Sequence, residues 1–494
     1  MSTSTEPLVA TGIEGFDHIL GGGLPRNRFF LVQGDPGTGK TTLALQFLLE
    51  GARRGEAGVY ITLSETNEEL RAVAQSHGWS LDALTLFELG DYEGAISADE
   101  QYTLFHPSEV ELNEVTGQLL AVIERVKPAR VVFDSLSEVR LLARDPLRYR
   151  RQLLALKQFF IGRQATVLLL DDGTAGEKDL QLQSLAHGVI SLEQFWPEFG
   201  ESRHRMRVVK MRGVRFRGGY HDFTIETGGL VIYPRLVAAE HRGSENDEVT
   251  STGVAELDAL LGGGIHRGTS TVVLGPAGSG KSSITSQILC AAADRGERSA
   301  LLIFDEVLPV MLARADGLGL PLRRHVEGGL VQARQIDPGE LAPGQFTHAV
   351  VRAVERDRAR IVVIDSLNGY LNATPDERSL NIQLHELFSF LAQRGVITLL
   401  TIAQHGLLGM RMESPVDVSY LADSVLLLRF FEARGEVHKA ISVLKRRRGG
   451  HERAIRELRI RSQRGAGRRA AGRVPGRAHG RAHVRRGAER PHNQ

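Results

Sequence analysis

The sequence predicts an α/β protein with two tandem domains, each a mostly parallel sheet flanked by helices, and a disordered basic C-terminal tail. The segment GDPGTGKT (Gly34–Thr41) returns 241 residues later as GPAGSGKS (Gly275–Ser282), so the chain contains two copies of one module. Within each copy, apolar strand-like runs alternate with helical stretches, which is typical of parallel sheets with right-handed crossovers. Beyond Ser462 this pattern gives way to Arg, Gly, Ala and His, a composition that cannot form a core.

Each copy opens with a short helix that ends in three glycines. The first opening is TGIEGFDHILGGG (Thr11–Gly23), and the second is TGVAELDALLGGG (Thr252–Gly264), again 241 residues later. Apolar residues at positions 13, 16, 19 and 20 follow a helical spacing, and the glycine triplet ends the helix. The two copies therefore share one register from their openings to the repeated segment.

The repeated segment fits G-x-x-x-x-G-K-[ST], the phosphate-binding loop of nucleoside triphosphatases. Its glycines let consecutive backbone N–H groups surround an anion, and the helix that begins there adds the positive end of its dipole. We expect Lys40 and Lys281 to reach the outer phosphates, and the hydroxyls of Thr41 and Ser282 to bind Mg²⁺. The residues predicted to bind nucleotide are Gly34, Asp35, Pro36, Gly37, Thr38, Gly39, Lys40, Thr41, Thr42, Gly275, Pro276, Ala277, Gly278, Ser279, Gly280, Lys281, Ser282 and Ser283.

Two aspartates are candidates for a second magnesium contact. The apolar run VVFDS contains Asp134, and the run IVVIDS contains Asp365. A buried parallel strand delivers such a carboxylate to the C-terminal edge of the sheet, where it can hold the water shell of Mg²⁺. The alternative is an aspartate that caps the next helix. Because a phosphate loop lies upstream in both copies, we favour the metal role.

Further strand-like runs complete each copy. They are residues 58–63, 166–171 and 208–213 in the first copy and 300–304, 396–403 and 443–449 in the second. A longer amphipathic helix is predicted over 112–126, and a hairpin that turns at Gly228–Gly229 closes the first copy. The predicted domains are residues 1–240 and 249–462, with a polar linker at 241–248 and the tail at 463–494.

Composition limits the class of protein. Of the 494 residues, 42% are apolar and 24% are charged, as in globular proteins with two or more domains. No apolar run approaches the roughly 18 residues of a membrane span, and the N-terminal segment lacks the order of a secretory signal. Cys290 is the only cysteine, which excludes an intramolecular disulfide and a cysteine-rich zinc site. We therefore expect a cytoplasmic protein without a membrane contact.

The net charge is unevenly distributed. Nine arginines and one glutamate give residues 463–494 a net charge of +8. Because the whole chain carries +2, the other 462 residues carry a net charge of −6. The folded part is therefore mildly acidic and has no global electrostatic footprint for nucleic acid. The tail is either a basic arm for nucleic acid or another anion, or a solvated segment or the product of a reading-frame change. Its composition favours the latter two.

These features together resemble the KaiC family, within the RecA/RadA-like branch of phosphate-loop ATPases. The resemblance covers residues 8–460 and rests on the two openings, the two phosphate loops, the two Asp-Ser strand ends and a K-x-R followed by H-[DE]. The segment HERAIRE (451–457) is especially close to the ending of the family's second repeat. The family implies two RecA-like domains, ATP and Mg²⁺ as cofactors, a homohexamer with ATP between neighbouring subunits, and a KaiB-like partner.

In the family, a carboxylate pair follows the strand after the phosphate-loop helix, and one member activates the attacking group. The second copy offers Asp305 and Glu306, whereas the first offers Ser64 and Glu65. A carboxylate can accept a proton near pH 7, and the Ser64 hydroxyl cannot do so usefully. The first copy is therefore expected to hydrolyse ATP slowly unless Glu65 substitutes. The alternative is that these residues only cap helices.

The family's K-x-R implies a contact with the nucleotide of a neighbouring subunit. Lys210 and Arg212 match it in the first copy, and Lys445 and Arg447 match it in the second. Residues i and i+2 of a strand share a face, so both cations of a pair could reach a neighbour's γ-phosphate as an arginine finger does. A solvated basic edge strand is the alternative, and flanking arginines leave the register of the second motif open.

The family's second ring can phosphorylate itself on an adjacent Ser-Thr pair. The matching stretch, SPVDVSYLADSVLLL, places Ser419 and Tyr420 at that pair. A Tyr hydroxyl lies several ångströms farther from the backbone than a Thr hydroxyl, which argues against a two-site cycle. Ser419 is the predicted phosphoacceptor and Ser424 a weaker one. The alternative is that Ser419 and Tyr420 are ordinary loop residues.

Three functions are compatible with these patterns. The first is a slow KaiC-like ATPase and switch, with serine autokinase activity in the second ring. The second is a RecA/RadA-like DNA-dependent ATPase, against which the acidic core and the lack of a separate DNA-binding module argue. The third is a scaffold that nucleotide assembles with little turnover, which Ser64 favours for the first copy. We favour the first function and expect no nucleic acid partner, except through the basic tail.

Overall fold

The computed structural model describes residues 7–88, 120–143, 145–172, 180–197, 200–241, 243, 247–337, 339–372, 377–404, 422–460 and 483–485. The chain divides into two compact units, Met1–Arg235 and Leu236–Gln494, called here the first and the second unit. Among the helices of the described residues, none combines the length and the apolar character that crossing a membrane requires.

The first unit alternates strands and helices as predicted. Its strands are β1 (Leu8–Val9), β2 (Leu24–Pro25), β3 (Phe29–Gly34), β4 (Gly58–Thr62), β5 (Thr85–Glu88), β6 (Arg130–Asp134), β7 (Thr166–Asp172), β8 (Gly188–Phe195), β9 (Arg203–Met211), β10 (His221–Glu226) and β11 (Gly229–Tyr233). Its helices are α1 (Glu14–Ile19), α2 (Lys40–Arg53), α3 (Asn67–Ser76), α4 (Leu136–Ala143), α5 (Pro146–Gly162) and α6 (Leu180–Leu185). Residues 120–126, the described part of the predicted 112–126 helix, are also helical.

The second unit repeats this order. Its strands are β12 (Val249–Thr250), β13 (Ile265–His266), β14 (Ser270–Gly275), β15 (Ser299–Ile303), β16 (Val331–Gln335), β17 (Ile361–Asp365), β18 (Ile397–Ala403), β19 (Ser424–Ala433), β20 (Glu436–Arg446), β21 (Arg456–Arg459) and β22 (His483–Arg485). Its helices are α7 (Ala255–Leu260), α8 (Lys281–Asp294), α9 (Leu308–Gly317), α10 (Leu322–Glu327), α11 (Pro343–Glu355), α12 (Leu367–Asn372) and α13 (Glu377–Gln393), with a 3₁₀ turn at Ala238–His241.

Each unit is built on one nine-stranded sheet with the same strand order. The orders are β11-β10-β9-β8-β3-β7-β6-β4-β5 and β22-β21-β20-β19-β14-β18-β17-β15-β16. The six strands from β8 to β5 run parallel, and β9 to β11 extend the sheet in antiparallel pairs. The fold therefore confirms the predicted parallel sheets and adds an antiparallel edge to each of them.

The central strands are mostly apolar because both faces of each sheet are covered. In β3, Phe30 and Val32 belong to one core cluster of the first unit, whereas Phe29 and Leu31 belong to another. The second unit repeats this division between Val273 and Val272. This double burial explains why continuous apolar runs, not alternating ones, marked the strands in the sequence.

Two features of the chain path bear on the predicted boundaries. Leu236 and Ala238 are buried in a core cluster of the second unit, and the Ala238 N–H donates to Glu386 Oε2 at 2.7 Å. The division between the units therefore falls five residues before the predicted end of the first domain. The predicted hairpin is confirmed, since Glu226 pairs with Gly229 in the β10–β11 ladder. Of the predicted tail, the structure describes only β22, which pairs with β21.

Candidate active sites

The phosphate loops connect a central strand to a helix in both units. β3 ends at Gly34 and α2 begins at Lys40, while β14 ends at Gly275 and α8 begins at Lys281. Gly39, at the start of α2, has a φ of 89°, and a Cβ there would lie 2.8 Å from Ile225 Cδ1. Neither helix has a side-chain cap at its N-terminus. The first N–H groups of each helix are therefore available to an anion.

The loop lysines fold back over their own loops. Lys40 Nζ donates to Gly34 O at 2.8 Å and to Asp35 O at 3.0 Å. Lys281 Nζ donates to Gly275 O and Pro276 O, both at 2.9 Å. Lys40 also lies 2.7 Å from Asp172 Oδ1. Each ammonium is thus held over the cradle where the motif places phosphate.

The other polar side chains of the loops have two roles: some hold the loop backbone in place, and others face the phosphate cradle. The Thr38 hydroxyl donates to Asp35 O at 2.7 Å, which tightens the first loop. Ser279, its counterpart, has a buried Oγ without a hydrogen-bond partner among the described residues. Thr42 is buried, with Oγ1 3.5 Å from His77 Nε2. An orphaned hydroxyl and glycine-formed cradles fit a bound phosphate group.

The two aspartates predicted to bind magnesium lie at the C-terminal edge of the sheets, beside the loops. Asp134 is 5% exposed, and the Tyr60 hydroxyl donates to its Oδ2 at 2.5 Å. Burial, more than any neighbouring charge, raises the pKa of Asp134. In the second unit, Thr401 Oγ1 donates to Asp365 Oδ1 at 2.5 Å.

The two carboxylates of the second-unit pair, Asp305 and Glu306, contact different parts of the unit. Asp305 accepts a hydrogen bond from Ser366, the residue after Asp365. Glu306 instead forms a double contact with Arg314, with Nη1–Oε1 and Nη2–Oε2 distances of 2.8 Å. Of the two, Asp305 is therefore the one that lies beside the end of β17, where Asp365 is predicted to bind magnesium.

In the first unit, Glu65 is the acidic residue that faces the site. Thr62 Oγ1 holds the turn by accepting from the Glu65 N–H at 2.9 Å. Glu65 Oε2 is buried and has no hydrogen-bond partner among the described residues. Burial, followed by the negative charges of Asp134, Glu69 and Asp172, raises the pKa of Glu65 to about 7. A carboxyl group with that pKa can exchange a proton at neutral pH.

The K-x-R residues lie at the sheet edge opposite their own phosphate loop. Lys210 pairs with Val189 near the start of β8, and Lys445 pairs with Val425 near the start of β19, which fixes the register of the second motif. Lys210 Nζ donates to Gln183 O at 2.5 Å, and Arg212 Nη2 donates to Ser184 O at 3.0 Å.

The second unit holds its two cations in a similar way. Lys445 Nζ donates to Ala422 O at 2.9 Å, and Arg447 Nη1 lies 3.5 Å from Asp423 Oδ1. The position of Asp423 is taken by His187 in the first unit, since their N–H groups donate to Ser270 O and Phe29 O. Burial foremost, then the charges of Lys157, Arg28, Arg212 and Lys210, lowers the pKa of His187 to about 4. The motif edge is therefore more basic in the first unit.

Some functional neighbours were not predicted from the sequence. Asp172, Tyr60, Thr401 and Arg314 all contact a predicted site residue. The doubled Asp after an apolar run was a visible signal for Asp172, but only the strand order shows that β7 lies beside β3. The predicted phosphoacceptor Ser419 and its neighbour Tyr420 lie outside the described residues.

Comparison with known proteins agrees with the internal duplication. The family model described as the KaiC ATPase matches residues 9–237 and again 250–466. The circadian clock protein KaiC3 of Synechocystis sp. is 27% identical over 92% of this chain and 90% of its own length. The KaiC2 protein of the same organism is 29% identical over 91% and 79% of the two chains. The circadian clock oscillator protein KaiC of Synechococcus elongatus is 28% identical over 91% and 87%.

Two matches of one family model, which together span most of the chain, coincide with the two phosphate-loop units of the structure. The chain belongs to the KaiC ATPase family.

Proposed function

We propose that this protein is a slow, Mg²⁺-dependent ATPase that assembles into a ring and acts as a nucleotide-driven signalling or clock-type switch. The proposal is supported by the sheet edge of each unit, where the phosphate-loop lysine, the hydroxyl residue that follows it and an aspartate from a nearby strand lie close together. That is the arrangement that phosphate-loop ATPases use to hold Mg-ATP.

In this proposal, Thr41 and Asp134 hold the metal in the first unit, and Ser282 and Asp365 hold it in the second. A water attacks the γ-phosphorus, ADP leaves, and the proton of the water passes to Glu65 in the first unit or Asp305 in the second. The perturbed pKa of Glu65 and the contact of Asp305 with the Asp365–Ser366 strand end support these roles.

The ring is supported by the position of the K-x-R residues. Lys210 and Arg212, like Lys445 and Arg447, lie at the sheet edge opposite the phosphate loop of their own unit. Because these cations lie far from the phosphate loop of their own unit, we propose that they contact the nucleotide of another subunit, as an arginine finger does. Relatives named as circadian clock proteins support the clock-type role. The homohexamer and the KaiB-like partner that reads its state rest on the family resemblance.

The second ring is further proposed to transfer the γ-phosphoryl group of ATP to the Ser419 hydroxyl. The transfer forms a phosphoserine ester, releases ADP and passes the hydroxyl proton to Asp305. This step rests on the family resemblance of the segment that contains Ser419.

The first experiment is the intact mass of the purified protein after incubation with Mg-ATP, with ADP measured in the same sample. A phosphoryl group that maps between residues 414 and 424 and is lost in Ser419→Ala supports the autokinase. ADP without added mass leaves an ATPase switch and refutes the autokinase. Neither ADP nor added mass, with ring assembly on a non-hydrolysable analogue, would instead make the protein a nucleotide-assembled scaffold.

A further inference from the structure

The end of β7 lies directly beside the phosphate loop of the first unit. β7 is a parallel neighbour of β3, and Asp172 is the register partner of Gly34, the first residue of the loop. Asp172 Oδ1 lies 2.7 Å from Lys40 Nζ, and the Lys40 side chain is only 8% exposed. The carboxylate therefore contacts the ammonium that is expected to bind phosphate.

Lys40 uses all of its donors in this arrangement. An ammonium group has three N–H donors. Nζ lies within hydrogen-bond distance of Gly34 O, Asp35 O and Asp172 Oδ1, at 2.8, 3.0 and 2.7 Å. A phosphate oxygen can bind Lys40 only by replacing one of these acceptors.

The second unit provides an internal comparison. The counterpart of Asp172 is Ala403, which is the register partner of Gly275 at the start of the second loop. Lys281 Nζ donates to two backbone carbonyls, and no carboxylate of the described residues forms an ion pair with it. The second loop lysine therefore retains a donor that the first has committed to a carboxylate.

A nucleoside triphosphate and a nucleoside diphosphate would place different charges beside the Lys40–Asp172 ion pair. The lysine of a phosphate loop reaches the β- and γ-phosphates of a triphosphate. The γ-phosphate would then lie next to Asp172, and two negative groups would share one ammonium. A diphosphate has no γ-phosphate, so Lys40 can contact the β-phosphate and Asp172 at the same time.

We propose that Asp172 determines the nucleotide specificity of the first unit by favouring a nucleoside diphosphate over a nucleoside triphosphate. The inference rests on the proposed function, because it requires that the first unit binds nucleotide. It also gives the two units separate tasks: the first retains ADP, whereas the second, with Ala403, accepts ATP without this competition.

The test measures the affinity of the first unit alone, in the full chain. Lys281→Ala removes the phosphate contact of the second loop, and titration calorimetry then gives the Kd of Mg-ADP and of Mg-AMP-PNP, an ATP analogue that is not hydrolysed. Adding Asp172→Asn, which keeps the side-chain shape, should tighten AMP-PNP binding about tenfold, the effect of one like charge at about 4–6 Å. ADP binding should change much less.

The matched control is the reverse change in the other unit. In a Lys40→Ala chain, Ala403→Asp should weaken AMP-PNP binding more than ADP binding. An unchanged ratio of the two affinities in the Asp172→Asn chain overturns the inference, and weaker AMP-PNP binding overturns it as well, because Asp172 would then assist the triphosphate. If Ala403→Asp does not fold, Asp172→Asn alone decides. Loss of all nucleotide binding in both backgrounds would instead contradict the proposed function.

Discussion

The two nucleotide sites share one frame and differ in their acidic residues. Both place a loop lysine and a strand-end aspartate at the same sheet edge. The second unit adds Asp305 from the next strand end, whereas the first has Ser64 there and carries its extra carboxylate, Asp172, on the strand beside the loop. One duplicated fold thus supports two distributions of negative charge around its nucleotide.

The difference extends to the second member of the carboxylate pair. Glu306 forms an ion pair with Arg314 on α9, whereas the equivalent position on α3 is Val73, which offers Glu65 no ion pair. Burial, followed by the nearby negative charges, raises the pKa of its carboxyl group. We therefore propose Glu65 for the role in the first unit that we propose for Asp305 in the second.

We expect the greatest change in ATP turnover when the loop lysine of one unit is replaced and compared with that of the other. Lys281→Ala should reduce second-unit turnover about 10²-fold or more, because a charge that stabilises the transferring phosphoryl group is lost. Lys40→Ala, the matched variant, should leave most of the total ATPase rate intact, since the first unit lacks the Asp305 carboxylate. ADP production by each full-length variant measures this. Equal losses in both variants would show that the units contribute equally.

The next effect lies within the second-unit pair. In a Lys40→Ala chain, Asp305→Asn should lower ATP turnover about 10²–10⁴-fold, the usual contribution of a general base. Glu306→Gln should lower turnover much less, because the Glu306 side chain contacts Arg314, whereas Asp305 contacts Ser366 at the end of β17. Steady-state ATPase rates distinguish the two. A larger loss in Glu306→Gln would reverse the assignment.

The pH dependence of the first unit tests Glu65. Its folded-state pKa is raised from 4.5 to about 7, so the carboxylate needed as a base forms only as pH rises through about 7. In a Lys281→Ala chain, the ATPase rate should therefore increase from pH 6 to 8 and reach half its plateau near 7. Glu65→Gln should abolish this dependence. A rate that is flat with pH in the parent chain would exclude Glu65 as the base.

The smallest effect concerns stability at the antiparallel edge. His221 in β10 is buried, accepts from the Arg235 N–H at 2.9 Å, and has Nε2 3.0 Å from Arg217 O. Burial lowers its pKa from 6.5 to about 4, so the neutral form stabilises the first unit above 6.5, and this contribution is lost as pH falls towards 4.

The equivalent residue in the second unit is Arg456, which is not a histidine. We expect the first unit to lose about 1 kcal/mol between pH 6.5 and 5.5 through His221. Hydrogen exchange of β10 and β21 at the two pH values compares them, with His221→Gln as the control. Equal weakening of both strands would show that His221 is not the cause.

Much of the fold follows from local sequence patterns. Features that depend on the spacing of a few neighbouring residues could be predicted. They include the phosphate loops, the Asp134 and Asp365 strand ends and the β10–β11 hairpin. The antiparallel direction of β9 was not predicted, because it is set by long-range pairing with β8, which local spacing does not record. The sequence did not show which of Asp305 and Glu306 faces the phosphate loop, because adjacent acidic residues do not reveal where either side chain points. The ion pair of Glu306 with Arg314 is seen only in the structure.

Local sequence is sufficient to identify a duplicated phosphate-loop protein, because those motifs are contiguous and their geometry is set by neighbouring residues. Which carboxylates lie beside each phosphate loop depends instead on the tertiary structure. Asp172 and Lys40 are far apart in the chain, and the order β8-β3-β7 brings them to 2.7 Å. The order of strands in a sheet differs from their order in the chain. The positions of charged side chains at the sheet edge are therefore set by the fold.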